Sequence, residues 1–430
     1  MQAIKSLSSV TVLLIVTACA LTIHQWNEES SFNPYGDFTF YWATNKYIQQ
    51  PSCADIYSSK GEQAINELRC KAVPQGRFFY TVRNTPLMTS LLSAVTPGNL
   101  ELGARKFHLI SLASFVIASV ILLWLTGYGL DSGAALYLYL LLLFAPLSMD
   151  SECASTNRIQ LVLIAAAFAC LRPMVLIGHF GAGLFLFLGV MLKPNTIFVP
   201  MFLLISLAAR RNWRALGAEA AGCLTGAVLG FAVGSLFLGS TRCWSEWLVH
   251  IMQLHADDSP LNWLNLSMPI LVETITGVDL TKTLFFLGFA LTSGRIISFS
   301  RGLSAADAGS GKSVPESFLV DFQAASAGGI AFLLFAHLCW SHYYTFAIPM
   351  ICLLMSPRWS QAQSGMYTIL ALIAVNAIGL DRELGLYDYP MLAGWLTWLG
   401  ALWLFLLGTT RSFPVSGPLE PTGRHSDSRA

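Results

Sequence analysis

The sequence predicts an all-α polytopic membrane protein, and three observations carry that. Of its 430 residues 54% are hydrophobic and only 11% charged, less than half the roughly 25% charged content of soluble domains. Apolar runs recur along the chain, several near the roughly 20 residues that a helix needs to cross the hydrocarbon core. Glycine and proline are scattered inside those runs, as membrane helices tolerate. The net charge of +1 offers no field for nucleic acid or an acidic partner.

Lys5 precedes the first apolar run, Val10–Ile23. Val16-Thr17-Ala18-Cys19 resembles a lipoprotein box and Ala18-Cys19-Ala20 a signal-peptidase site. The run continues past both, so an uncleaved first span is the simpler reading. A long polar stretch follows, from His24 to Arg83, and the first outer loop is expected over 26–104. Pro86–Val95 is apolar but short, which suits a surface or re-entrant helix. Longer runs lie near Phe107–Leu125, Ala134–Leu147, Ile159–Leu171, Phe180–Leu192, Thr196–Ala208 and Leu216–Leu238. Others lie near Leu284–Ile297, Ala325–Leu338, Thr345–Leu354, Met366–Ile378 and Met391–Leu407. The spacing predicts about twelve spans in one domain over 1–411. The tail, 412–430, is rich in Pro, Ser, Gly and Arg, a composition that stays disordered.

Arg210, Arg211 and Arg214 mark one loop as cytoplasmic under the positive-inside rule. Counting from it places Asp37, Arg77, Arg83, Asp150, Asn157, Arg158, Lys193, Asn262, Asn265, His342 and Tyr343 on one outer face. Polar residues with chemical capacity on one side suggest an outward-opening cavity. A transporter would place charges near mid-span on broken helices, and few are apparent. Of nine Cys, none forms a CxxC or a zinc-spaced cluster. Cys53 and Cys70 share the first polar loop and could pair in an oxidising compartment. There is no GxGxxG after a strand and no phosphate-binding P-loop.

The stretch Pro34-Tyr35-Gly36-Asp37-Phe38-Thr39-Phe40-Tyr41-Trp42 stands out. Phe38, Tyr41 and Trp42 sit at helical spacing, as for a short helix in the membrane interface. An acid held there is costly unless paired or used, and Asp37 reads either as a reactive carboxylate or as a helix N-cap.

Four stretches resemble the GT-C membrane glycosyltransferases, and within them family 87, the polyprenol-phosphate-mannose-dependent mannosyltransferases. They are Asp37-Phe38-x-x-Tyr41-x-Ala43 with Ile56-Tyr57, Lys193-Pro194 with Arg210-Arg211-x-Trp213, Asn262-x-x-Asn265-x-Ser267, and Trp340-Ser341-His342-Tyr343 with Pro349. Asn84-Thr85-Pro86 and Ser155-Thr156-Asn157-Arg158 depart from the family pattern. The resemblance implies a GT-C fold with outer-face juxtamembrane helices and Asp37 as an inverting general base. It implies a polyprenyl-phosphate sugar donor, mannose by analogy, and a lipid or glycan acceptor. The active site would face the periplasm from the plasma (inner) membrane.

A released polyprenyl phosphate needs cations where its charge develops. Lys193 is the first candidate, with Arg77, Arg83 and Arg158 behind it; snorkelling to the interface is the alternative for Lys193. His342 could bridge the phosphate or hold a sugar hydroxyl. Tyr41, Asn157, Asn262, Asn265 and Tyr343 are candidates to meet the sugar or acceptor. Trp340 and Tyr344 fit an interfacial aromatic belt better. No metal is required, although His255, Asp257 and Asp258 offer a second place for a base or a divalent-cation site, and Asp150 and Glu152 offer oxygen ligands for a cation. The rival readings are a lipid transporter or flippase, and an outer-face glycan ligase.

Overall fold

The computed structural model describes residues 8–29, 37–50, 55–73, 82–94, 96, 98–257, 267–307, 315–336, 339–356, 362–377 and 390–410. Among them there is no strand. The helices, in order, begin with α1 (Ser9–Glu29), α2 (Asp37–Ile48), α3 (Ser59–Ala72), α4 (Pro86–Ser93), α5 (Leu100–Thr126) and α6 (Leu130–Leu143). Next are α7 (Ala145–Glu152), α8 (Asn157–Leu171), α9 (Leu176–Leu192), α10 (Phe198–Ala209), α11 (Trp213–Leu238) and α12 (Arg242–Asp257). The last are α13 (Met268–Thr276), α14 (Thr281–Asp307), α15 (Pro315–Phe335), α16 (Ile348–Leu354), α17 (Ala362–Val375) and α18 (Pro390–Thr410). Short 3₁₀ turns at Pro194–Thr196 and Ser341–Ala347 precede α10 and α16.

Among the described residues five helices are long and apolar enough to cross a membrane: Ser9–Glu28, Leu100–Thr126, Trp213–Leu238, Thr281–Gly302 and Ser317–Phe335. A sixth span is possible if α6 and α7, bent by 55° at Phe144, are one. Five shorter apolar helices of 10–17 residues pack among these. The chain is thus a multi-pass membrane protein, and among the described residues the expected twelve spans are not confirmed. An apolar run signals burial, whether in lipid or in protein. The seven residues of α16, for example, are all buried by neighbouring helices.

The sharpest packing is between α9 and α11, which run parallel. Gly222, Gly226, Gly230 and Gly234 recur every fourth residue and form one ridge of α11. A Cβ at Gly222 would overlap the Phe180 carbonyl, and one at Gly230 would come within 2.9 Å of the Met191 side chain. At Gly234 the ridge passes to α4, where a Cβ would lie 2.9 Å from Pro86. Without side chains the backbones approach closely, which is how helices associate in lipid. This ridge fixes α9, and with it the residue at its end, Lys193.

Two apolar cores result. The larger joins α5, α8, α10 and α15 around Phe115, Phe168, Phe202 and Phe322. The smaller gathers Phe38, Tyr41, Tyr57, Leu87 and Phe107 from α2, α4, the start of α5 and the turn before α3. Helix α2 is buried on most sides, Phe38, Thr39, Phe40, Tyr41, Ala43, Thr44, Asn45 and Tyr47 all being enclosed. Its aromatics other than the half-buried Trp42 are thus enclosed by protein and do not lie open at an interface.

Far from this end of the bundle, four polar side chains are buried together. Arg210 pairs with Asp321 of α15, and His179 Nδ1 of α9 lies 3.6 Å from Glu219 Oε2 of α11. Glu219 and Asp321 are fully enclosed within candidate spans. These charges were not evident in the chain read alone.

Candidate active site

The site is assembled around the first residue of α2. The Asp37 backbone N–H donates to the Cys153 carbonyl at 2.8 Å. That carbonyl belongs to a turn in which Ala154 adopts a left-handed conformation, φ 50°. Such a φ disfavours a residue with a Cβ by about 1–2 kcal/mol, so surrounding contacts hold the turn. One helical turn on, Tyr41 donates its hydroxyl to Asp37 Oδ2 at 3.4 Å.

Lys193 arrives from α9. The residue before a proline is driven out of the helical region, and Lys193, before Pro194, is extended at φ −157°, ψ 119°. The chain at this end of α9 is then fixed twice. Thr85 donates its hydroxyl to the Met191 carbonyl at 2.7 Å, and Gln160 Nε2 donates to the Lys193 carbonyl at 2.8 Å. The ammonium lies 4.5 Å over the Tyr343 ring and 3.5 Å from Asn157 Oδ1.

Tyr343 and His342 come from the 3₁₀ turn 341–347, far along the chain. Their rings meet edge to face with centroids 4.8 Å apart, and both residues are buried. Asn157 ties the parts together. Its Nδ2 donates to Asp150 Oδ1 at 2.8 Å and to the His342 carbonyl at 3.2 Å. Its Oδ1 accepts from Lys193 and from Asn195 Nδ2. Asp150 in turn faces the Arg158 guanidinium at 3.5 Å, with both side chains wholly enclosed.

The electrostatics follow. Enclosure by protein raises the Asp37 carboxyl from 3.8 to about 6, while Lys193, the Tyr41 hydroxyl and Arg83 pull it back down. A neutral-pH carboxylate close to its titration point suits proton abstraction. Burial, then the Lys193 charge, hold His342 well below its ordinary value. It is thus a neutral imidazole and can meet a phosphate as a hydrogen-bond donor, not as a cation.

The structure therefore gathers Asp37, Tyr41, Arg83, Asn157, Lys193, His342 and Tyr343 in one place. Arg158 is drawn in but spent: its guanidinium faces Asp150 and donates to the Leu147 carbonyl at 2.9 Å. With no exposed surface it is a poor phosphate ligand. Asn157 likewise has its amide committed to protein partners. Of the Asp150–Glu152 pair, Asp150 already faces Arg158 and Asn157. Among the described residues no three His, Cys, Asp or Glu side chains converge on a metal position. Tyr344 is fully buried, so it belongs to the core and not to an interfacial belt. Arg77, Cys53, Asp258, Asn262 and Asn265 lie outside the described residues, and Ser267 caps α13.

Sequence reasoning missed Gln160, Thr85 and Asn195. Gln160 had a signal: it lies three residues after Asn157, on the same face of α8. Thr85 had a weaker one, an N-cap residue before Pro86.

An all-helical, multi-pass architecture with a carboxylate, a lysine and polar aromatics at one end suits a membrane group-transfer enzyme. Residues 80–306 match Glycosyltransferase family 87. The match covers more than half of the 430 residues, and the chain belongs to that family and is a membrane glycosyltransferase. No curated protein and no solved structure matches the chain. Asp37 precedes the matched residues, so its assignment stands on the geometry.

Proposed function

We propose that this glycosyltransferase moves a hexose, mannose by family analogy, from a polyprenyl-phosphate donor to a lipid-linked or glycan acceptor. The reaction takes place at the outer face of the plasma membrane and inverts the anomeric centre. An acceptor hydroxyl attacks the anomeric carbon as the bond to the phosphate oxygen breaks. Asp37 takes the hydroxyl proton, and the electron pair leaves with the phosphate. Lys193 meets the growing negative charge, with Arg83 nearby and the neutral His342 as a donor. Tyr343 lies beneath the lysine and limits where it can point. Tyr41 orients the carboxylate. Asn157 and the Asp150–Arg158 pair act behind these groups as positioning residues.

The observation that carries the reading is the meeting of Asp37 with Lys193, which come from opposite ends of the first half of the chain. A base positioned this way contributes roughly 100- to 10,000-fold. One observation favours the transport reading, the buried Arg210–Asp321 and His179–Glu219 contacts. Arg210 and Asp321 pair with each other, but among the described residues His179 Nδ1 and both Glu219 carboxyl oxygens make no hydrogen bond, and the groups lie at the far end of α9 from Lys193. The deciding assay gives the purified protein in nanodiscs a radiolabelled polyprenyl-phosphate hexose and native membrane lipids. A labelled lipid product of inverted configuration supports the reading. Uptake or flipping of intact donor without transfer sinks it.

A further inference from the structure

The break between α9 and α10 leaves backbone carbonyls without helical partners. Pro194 brings no N–H, and Lys193 before it is extended. Thr85 serves the Met191 and Leu192 carbonyls. Gln160 of α8, fully enclosed, serves others. Its Nε2 lies 3.0 Å from the Gly189 carbonyl, 2.8 Å from the Lys193 carbonyl and 2.9 Å from Asn195 Oδ1, with Thr196 Oγ1 at 3.5 Å. Backbone carbonyls only accept, so the amide nitrogen must face them. The amide oxygen accepts no hydrogen bond among the described residues. Gln160 is therefore used purely as a donor. These contacts close a ring. Asn195 Nδ2 donates to Asn157 Oδ1 at 3.4 Å, and the Lys193 ammonium donates to the same oxygen at 3.5 Å. Both ends of Lys193 are thus referred to one face of α8, where Asn157 and Gln160 lie a turn apart.

The Lys193 charge reaches the Asp37 carboxyl, yet among the described residues the side chain that hydrogen-bonds that carboxyl is Tyr41. An ammonium and a carboxylate out of water attract strongly, and a lysine side chain is long and flexible. The two would pair unless something held the lysine away. Such a pair would take both the base and the phosphate ligand out of the reaction. We propose that Gln160 is a positioning residue for sugar transfer: through the Lys193 carbonyl and Asn195 it keeps the lysine over Tyr343 and off the Asp37 carboxylate. The proposal rests on the transferase reading. The groups that face Asp37 are Tyr41 from its own helix, Lys193 from α9, Arg83 from the segment before α4 and Cys153 from the turn after α7. Of these, Lys193 is the one that Gln160 holds.

The test follows the protonation of Asp37 through the pH dependence of its infrared carboxyl band, in the full chain in lipid nanodiscs. Asp37→Asn identifies the band, which titrates at about 6 in the unaltered protein. Gln160→Met keeps the side-chain length and removes both N–H groups. The freed lysine then pairs with Asp37, and the titration falls to about 5 or below. Binding of decyl phosphate weakens by about tenfold in the same variant. In the Lys193→Met background Gln160→Met changes neither quantity further, a masking that a merely structural role would not give. Asn195→Ala cuts one link of the ring and adds no bulk. It moves the titration the same way, and it decides the matter if Gln160→Met does not fold. A titration that stays in place or rises in a variant that folds overturns the proposal. So does one that falls equally without the lysine, or undiminished binding of decyl phosphate. The band needs neither donor nor turnover, so a failure to transfer hexose sinks the transferase reading and leaves the hold on Lys193 to be judged by its own titration.

Discussion

The raised Asp37 carboxyl makes a quantitative claim about pH. With a value of about 6, the carboxylate is roughly 90% ionised at about pH 7 and roughly 10% at about pH 5. If the ionised form is the base, the single-turnover transfer rate falls about tenfold over that interval. A carboxylate at its ordinary 3.8 would stay more than roughly 90% ionised throughout, and the rate would hardly change. The sign for stability is opposite. A raised folded-state value favours the protonated acid, so its contribution is present below the ordinary value and fades as pH rises through about 6. The assay is single-turnover release of radiolabelled hexose into lipid, followed across pH at saturating donor. Lys193→Met supplies the control. Its charge lowers the Asp37 value, so its removal moves the acid limb to higher pH. A rate flat across the interval, or a limb that moves to lower pH in Lys193→Met, refutes the reasoning.

Other outcomes follow from the same geometry. Lys193→Met also weakens donor binding by about 10- to 100-fold, the loss of a charge-assisted contact, measured by equilibrium binding of the donor in nanodiscs. Asp150→Asn leaves the enclosed Arg158 without its facing charge and lowers stability by about 3–5 kcal/mol, read as a fall in the thermal midpoint. Gly222→Leu drives a side chain into the Phe180 backbone and destabilises by about 1–3 kcal/mol. Because α9 carries Lys193, that variant loses donor affinity along with thermal stability, and an unchanged donor affinity would contradict the coupling.

What the chain disclosed by itself was governed by range. Composition and apolar runs gave the all-helical membrane class, because burial in lipid demands them locally. Asp37, Lys193 and His342 were legible through their neighbours: an aromatic stretch, a proline and a second aromatic stretch. Their meeting was not, since it depends on α9 being held by the α11 glycine ridge and on the turn at Cys153. The span count was not confirmed: runs such as Thr345–Leu354 are enclosed by protein, and hydropathy does not distinguish that burial from lipid. Arg158 misled for a related reason. A cation at a helix start looks available until Asp150, eight residues earlier, is seen to fold back onto it. Glu219 and Asp321 escaped notice because each sits singly in an apolar run, and its partner lies on another helix.

The most direct measurement compares Asp37→Asn with the unaltered protein in two assays on one nanodisc sample, donor binding and single-turnover transfer. The account predicts donor affinity that is retained or tightened, since a negative charge beside Lys193 is removed, and transfer reduced by roughly 100-fold or more. Transfer at the unaltered rate would mean that the proton leaves the acceptor by another route and that Asp37 is only the start of a helix.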